Sequence, residues 1–105
     1  MSTVLADLLA EREYLVADGG TGTNMMARGL PAGRPPDLWN LDGQEHVTWL
    51  HESFIEAGAD IILTNTFGSN PCRLKLDKIE HQTREINIAG AQLARAAADA
   101  VDRTV

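Results

Sequence analysis

The chain has 105 residues, and 44% of them are hydrophobic, a composition typical of a single folded domain. Its 15 acidic and 9 basic residues give a formal net charge of −6, which argues against binding to nucleic acid, because phosphate recognition needs a basic surface. No apolar run approaches the roughly 20 residues of a membrane span, the N-terminal segment is acidic, and Cys72 has no second cysteine to pair with. These features predict a cytoplasmic protein that binds neither nucleic acid nor a membrane.

The hydrophobic pattern alternates between helices and strands. Helices are predicted at residues 3–12, from Asp42 to about Gly58, and at residues 79–102, and short strands at residues 14–18 and 60–64. Asp42 and Glu45 have capping-box spacing. The β-branched run at 60–64 is expected to be buried on both faces, as in parallel sheets. Strands joined by helical crossovers pair in parallel, so the fold class is α/β.

The buried stripe of the middle helix is predicted to comprise Val47, Leu50, Phe54 and Ala57. Two parallel strands cannot cover their own faces and edges, however. Residues 1–105 are therefore interpreted as one partial domain that belongs to a larger α/β architecture. An eight-stranded barrel, for comparison, needs about 250 residues.

A glycine-rich loop, DGGTGT, follows the first predicted strand at Asp18. It lacks the Gly-Lys pair of a phosphate-binding P-loop, and Met25 stands where the dinucleotide fingerprint needs a third glycine or alanine. Two interpretations of this loop remain open: a turn that needs positive φ, and a loop that binds a ligand. As a ligand loop, it would place the Asp18 carboxylate at a strand end, where α/β folds bind their substrates.

A second polar loop, TNTFGSN, follows the strand at 60–64 and is consistent with either turn chemistry or a ligand-facing role. Among the histidines, His46 is predicted on the solvent side of its helix, and His51 near the buried stripe with a local hydrogen bond. His81 has no assigned role. Cys72 has no companion ligand and is a poor metal candidate. The sequence therefore offers no catalytic or metal-binding residue.

Three segments together resemble one known family. They are LVADGGTGTNMMARG, LWNLDGQEHV and HESFIEAGADIILTNTFGSNPCRL, and their order and separation resemble the homocysteine S-methyltransferases, a family that includes the betaine–homocysteine methyltransferases and the homocysteine-binding module of methionine synthase. The resemblance runs from about Tyr14 to the last helix. It implies that the chain is the N-terminal part, about two to three βα units, of a (β/α)8 TIM barrel.

The resemblance also implies a reaction, namely methyl transfer from a donor such as betaine or S-methylmethionine to homocysteine thiolate held by Zn²⁺, giving methionine. In the family the zinc ligands are cysteines on later strands, which Cys72 does not match. Substrate-binding roles carry over to two groups of residues: Asp18, Gly19, Gly20 and Thr21, and Thr64, Asn65, Thr66 and Phe67.

Because the thiolate ligands are absent, the 105-residue chain alone is expected to be inactive. Two alternatives remain at this point. One is a non-catalytic partial barrel that needs self-association or a complementary chain, because its strand edges are open. The other, more remote, is an α/β enzyme that binds phosphate through the glycine loop.

Overall fold

The computed structural model describes residues 3–105, so the first two residues of the predicted domain lie outside the described residues. The helices are α1 (Val4–Glu11), α2 (Thr21–Ala27), α3 (Trp39–Asp42), α4 (Gln44–Glu56), α5 (Pro71–Leu74) and α6 (Thr83–Asp99). Short 3₁₀ turns lie at Pro36–Leu38, Lys75–Asp77 and Glu80–Gln82. No helix in the described part of the chain is long and apolar enough to cross a membrane.

The two predicted strands are reduced to one parallel bridge, between Ala17 and Ile61, within residues 3–105. The Ile61 N–H donates to the Val16 carbonyl at 3.1 Å, and the Asp18 N–H donates to the Ile61 carbonyl at 3.0 Å. The pairing is therefore parallel, as predicted, but the extended strands at 14–18 and 60–64 are wrong. A strand pair with no further neighbour among the described residues lacks the ladder bonds that would extend it.

The expected burial of the second strand on both faces is also wrong. Leu63 is 62% exposed, and Val16 of the first segment is 48% exposed. A further layer of strands would be needed to remove these side chains from water.

The core lies between the helices. Met25 of α2, Trp39 of α3, and Val47 and Leu50 of α4 form its centre together with Leu30. Helices α4 and α6 pack directly against each other. Val47 and Leu50 match the predicted stripe, whereas Phe54 is half-buried, Ala57 is exposed, and His51 and Ile55 are buried instead. Helix α4 packs against α2, α3 and α6, and the side that it buries carries His51 and Ile55 and not Phe54 and Ala57.

The predicted capping box does not form. Helix α4 begins at Gln44 after Gly43 and has no side-chain cap, because Asp42 belongs to α3 and its carboxylate pairs with Arg34. The other end of α4 follows the prediction. Gly58 has φ +107°, the left-handed conformation in which glycine commonly ends a helix.

Asp60 lies at the amino ends of the two paired segments, and its side chain contacts several parts of the chain. Its side chain is only 6% exposed and accepts a hydrogen bond from the Val16 N–H at 3.0 Å. Arg12 forms an ion pair with this carboxylate, and an Arg103 nitrogen lies 3.8 Å away. Arg103 also donates to the carbonyls of Ile55 and Ala59 at 2.6 and 2.8 Å. One carboxylate thus fixes three parts of the chain.

These contacts predict a pH-dependent stability. The Val16 N–H and the two arginines hold the pKa of Asp60 below its ordinary value of 3.8, against the opposing effect of burial. A depressed carboxyl pKa stabilises the fold fully above that ordinary value, and the stabilisation is lost as the pH falls towards the folded-state pKa. We expect Asp60→Asn to lower the urea midpoint at pH 7, and to lose less stability than the wild type between pH 5 and about pH 3.

The control for this prediction is Asp99→Asn, because Asp99 forms an exposed pair with Arg95 within one helix. Exposed pairs of this kind contribute little to stability. Its urea midpoints should follow those of the wild type at each pH. Equal acid sensitivity of the wild type and Asp60→Asn would contradict the assigned role of Asp60.

Candidate functional site

A cavity of about 480 Å³ lies at the carboxyl ends of the two paired segments. Both predicted loops line it, and between them they contribute Gly19, Gly20, Thr21, Gly22, Thr64, Asn65, Thr66, Phe67 and Gly68. Leu63, Pro36, Asp37 and Arg73 complete the lining. The structure thus brings together all the residues predicted for substrate binding except Asp18, which does not line this cavity. Their role in binding stays a prediction.

Asp18 lies half-buried beside the cavity and ends the pairing of the two segments. Both of its carboxylate oxygens lie 3.2 Å from the Leu63 N–H, which donates to them. In a regular parallel ladder this N–H would bond to a backbone carbonyl, so the side chain replaces the next ladder acceptor. One N–H shared between two oxygens leaves the carboxylate free to accept further donors.

The glycine loop turns the chain from the first segment into α2. Gly20 has φ +58° and ψ +32°, a left-handed conformation that glycine adopts without strain. Its carbonyl accepts the Asn24 side-chain amide at 2.8 Å and the Asn24 N–H at 2.9 Å. The prediction of a positive-φ turn is therefore correct, and the same loop also lines the cavity.

The second loop presents two hydroxyl groups and an aromatic ring. The hydroxyls of Thr64 and Thr66 lie 2.7 Å apart and share a hydrogen bond, and the Thr66 N–H donates to the Thr64 carbonyl at 2.9 Å. The Phe67 ring is fully exposed. An exposed aromatic ring at the mouth of a cavity is available to cover an apolar or cationic ligand.

A buried amide pair holds the second loop in place. Asn40 of α3 is fully buried, and its amide nitrogen donates to the Asn65 carbonyl at 2.7 Å and to the Ile86 carbonyl at 3.1 Å. In return, the Asn65 amide nitrogen donates to the Asn40 side-chain oxygen and to the Pro36 carbonyl, both at 3.0 Å. The Asn65 side chain is therefore committed to structure, and its contribution to the cavity comes from its backbone position.

A carboxylate extends this network to the far end of the loop. Asp37 is 5% exposed and accepts the Ser69 hydroxyl at 2.6 Å and the Gly68 N–H at 3.2 Å. The Asn87 side chain of α6 donates to the Ser69 carbonyl at 2.8 Å. Sequence reasoning missed Asn40 and Asp37, because they lie in the stretch PPDLWN, which reads as an irregular loop.

His51 lies on the buried side of α4. Its side chain is fully buried, and neither ring nitrogen has a hydrogen-bond partner among the described residues, so the predicted local hydrogen bond is wrong. Burial lowers the pKa of His51, although the negative charge of Asp18 opposes this effect. The imidazole is therefore neutral at neutral pH.

The other two histidines lie away from the cavity. His46 is 28% exposed, so its predicted solvent side is only partly correct. Its ring stacks on Trp39 with a centroid separation of 4.2 Å and accepts a hydrogen bond from Arg28 at 3.1 Å. His81 is exposed.

The family profile described as homocysteine S-methyltransferase matches residues 15–105. The chain belongs to the homocysteine S-methyltransferase family. Among its relatives is a methionine synthase from Mycobacterium tuberculosis, 33% identical over 106 aligned residues that cover 92% of this chain and 9% of the relative. A methionine synthase from Mycobacterium leprae is 32% identical over an alignment that covers 92% of this chain and 8% of the relative.

Solved structures of the homocysteine methyltransferase MmuM from Escherichia coli also resemble the chain. The oxidised form superposes with a TM-score of 0.78 and the metallated form with 0.76, each at 25% sequence identity. Each comparison covers 91% of this chain and 34% of MmuM. The chain therefore spans about a tenth of the curated relatives and a third of the solved structures.

One MmuM structure is metallated, so we tested whether this homocysteine S-methyltransferase chain could hold a metal by itself. Residues 3–105 contain no group of three or more His, Cys, Asp or Glu side chains arranged around a common point. Cys72 is exposed. A tetrahedral zinc site needs at least three protein ligands, so the described residues do not fit the metal.

Proposed function

We propose that the chain forms the first part of a (β/α)8 barrel and supplies the amino-acid-holding rim of a homocysteine S-methyltransferase. Family membership supports the proposal, as does the similarity to MmuM over 34% of that protein. The observation that carries it is the cavity at the carboxyl ends of the paired segments, where the DGGTGT and TNTF loops meet beside Asp18. Barrel enzymes place their active sites at this end of the strands.

The roles of individual residues follow from their chemistry. Asp18 would accept the homocysteine ammonium, because its carboxylate has unused acceptor positions at the cavity edge. Gly19 and Gly20 would allow the ligand to approach the backbone closely. Thr64 and Thr66 would offer hydroxyl groups, and Phe67 would cover the ligand.

The reaction we propose moves a methyl group from a positively charged nitrogen or sulfur atom of the donor to the homocysteine thiolate, giving methionine and leaving that nitrogen or sulfur atom neutral. Betaine and S-methylmethionine are donors of this class. Zinc, implied by the family for the complete enzyme, would need ligands from outside residues 3–105. We therefore propose that the 105-residue chain alone does not transfer methyl groups. Its single, exposed cysteine is compatible with a cytoplasmic enzyme.

The test of this function is the substitution Asp18→Asn. Asparagine can still accept the Leu63 N–H, so the fold should be retained, but the charge that pairs with an ammonium is lost. We expect the dissociation constant for homocysteine to rise at least about tenfold, since a charge-assisted hydrogen bond contributes roughly 1.5–3 kcal/mol. Two-dimensional NMR titration of the chain with homocysteine measures this constant.

Asp102→Asn, at an exposed position, is the matched control and should leave the homocysteine affinity unchanged. An unchanged affinity in Asp18→Asn would remove Asp18 from the site. Failure of the wild-type chain to bind homocysteine would overturn the proposed role of the cavity as a whole.

A second candidate, association with a complementary chain or a second copy, is favoured by another groove. This groove of about 520 Å³ lies between α1, the segment around Ile62 and α6, and its lining is mainly apolar, including Leu5, Leu8, Ala94 and Val105. Ile61 and Thr64 of the second segment also line this groove, so another chain segment could pack there. A compact monomer in sedimentation equilibrium at micromolar concentration would contradict this association.

A further inference from the structure

A side groove adjoins the candidate cavity. It has a volume of about 220 Å³ and lies between α2 and the segment 30–36. Gly22, Pro36 and Arg73 line both spaces, so the groove and the cavity are neighbours. Met26, one helical turn beyond Gly22, lines the groove but not the cavity.

The charge of this groove is opposite to that of the chain. Arg34 and Arg73 are the charged residues in its described lining, although the chain carries a net charge of −6. Each arginine has one acidic partner: Arg34 pairs with Asp42, and an Arg73 nitrogen lies 3.1 Å from an Asp77 oxygen. A guanidinium group has five N–H donors, so each pair leaves donors unused.

Arg34 has such an unused N–H donor. Its Nε is buried from solvent and has no hydrogen-bond acceptor among the described residues. A buried donor without an acceptor destabilises the fold, and an incoming acceptor would offset that cost. Two guanidinium groups that line one small groove are suited to a carboxylate, because their planar donors match its two oxygens.

We propose that the side groove is a subsite for the carboxylate of the methyl donor, held between Arg34 and Arg73. This inference rests on the proposed function. It assigns the carboxylate to the donor because Asp18, the proposed partner of the homocysteine ammonium, does not line the groove. The ammonium and carboxylate of an amino acid share one carbon, so homocysteine held by Asp18 would keep its own carboxylate close to Asp18.

The donor geometry agrees with this assignment. In betaine and S-methylmethionine the carboxylate is joined by a short chain to the positively charged atom that carries the methyl group. With the carboxylate in the groove, the methyl-bearing end would reach back into the cavity, towards Thr66 and the exposed Phe67. Arg34 and Arg73 are thus specificity-determining residues that select a donor with an anionic group.

The experiment is an NMR titration of the chain at constant ionic strength with three probes: glycine betaine, acetate and choline. Choline carries the same trimethylammonium group as betaine but has no carboxylate. We expect betaine and acetate to shift the amide signals of Gly22 and Gly33, and choline to leave them unchanged. Equal shifts with choline would overturn the proposal.

Substitutions test the arginines. Arg73→Gln and Arg34→Gln should each raise the dissociation constant for betaine at least tenfold. Arg95→Gln is the matched control, because Arg95 forms the same i,i+4 pair with Asp99 on α6, away from the groove, and it should bind betaine normally. Arg73→Lys keeps the charge without the planar fork and should show an intermediate affinity. Normal betaine binding by folded Arg73→Gln would contradict the subsite.

A betaine titration in the presence of homocysteine distinguishes the two possible sources of the carboxylate, which are the methyl donor and homocysteine. Betaine binding that persists in saturating homocysteine supports a separate donor subsite, whereas direct competition at the Gly22 signal would assign the groove to homocysteine and overturn the proposal. Betaine binding at the groove without any homocysteine binding would support the groove while refuting the proposed amino-acid rim. The failures of the two proposals are therefore distinguishable.

Discussion

Replacing Asn40 by alanine is expected to destabilise the fold by about 3 kcal/mol, because buried groups left without partners cost about 1–3 kcal/mol each. The substitution removes the donor to the Asn65 and Ile86 carbonyls and the acceptor of the Asn65 amide. It also leaves a cavity where the side chain was fully buried. Small domains are stable by only about 5–15 kcal/mol, so this loss would be visible in urea unfolding.

The control for this prediction is Asn70→Ala. The Asn70 side chain is also engaged, since it accepts the Arg73 N–H at 2.9 Å as the cap of α5, but the residue is exposed. Loss of such a cap costs about 1 kcal/mol. Asn40→Ala should therefore lose more stability than Asn70→Ala. An Asn40→Ala variant as stable as Asn70→Ala would show that the buried amide pair contributes little.

Substituting Gly90 by alanine is expected to have an effect of similar size by a different cause. A Cβ atom at this position of α6 would lie 2.7 Å from the Asn40 amide nitrogen and 2.8 Å from a Thr66 methyl carbon. Both neighbours are held in place by packing, so α6 must move away from the loop. Overpacking of this kind costs about 1–3 kcal/mol. We expect a lower thermal midpoint and altered NMR signals for Thr64 and Thr66.

The same substitution at Gly22 provides the control. Gly22 lies in α2, and a Cβ atom there would have no heavy atom within 4 Å. Alanine is a better helix former than glycine by up to about 1 kcal/mol, so Gly22→Ala should be neutral or stabilising. A Gly90→Ala variant that also gained stability would mean that α6 does not press against the loop as the structure shows.

Helices were the most predictable part of this fold, because their signals are local. The spacing of apolar residues predicted helices at 3–12 and 79–102, and the structure has Val4–Glu11 and Thr83–Asp99. The long helix is shorter than predicted because residues 80–82 form a 3₁₀ turn before it. The strands were overpredicted. An apolar run indicates which residues are buried, but the pairing of a strand depends on partner strands that are distant in sequence.

The two loops of the candidate site were located from sequence, but their support was not. The Pro- and Gly-containing stretch at 31–43 was expected to be irregular, yet it contains a 3₁₀ turn and α3. Asn40 and Asp37 gain their roles only when α6 and the TNTFGSN loop pack against them. Likewise, helical periodicity placed His51 near the buried stripe, whereas its lack of a partner follows from the three-dimensional packing of α4.

Under the proposed function, the position of Asp18 would couple ligand binding to the pairing of the two chain segments. Its carboxylate already accepts the Leu63 N–H, so an ammonium ion bound there would share the same acceptor group. The ligand and the second segment would then be linked through one side chain, and each would hold the carboxylate in the orientation that the other requires. If bound ligand stabilises the junction of the two segments in this way, thermodynamic reciprocity requires that stabilising the junction favours ligand binding by the same amount. In the complete enzyme the substrate would act as a structural cross-link between the two segments as well as a reactant.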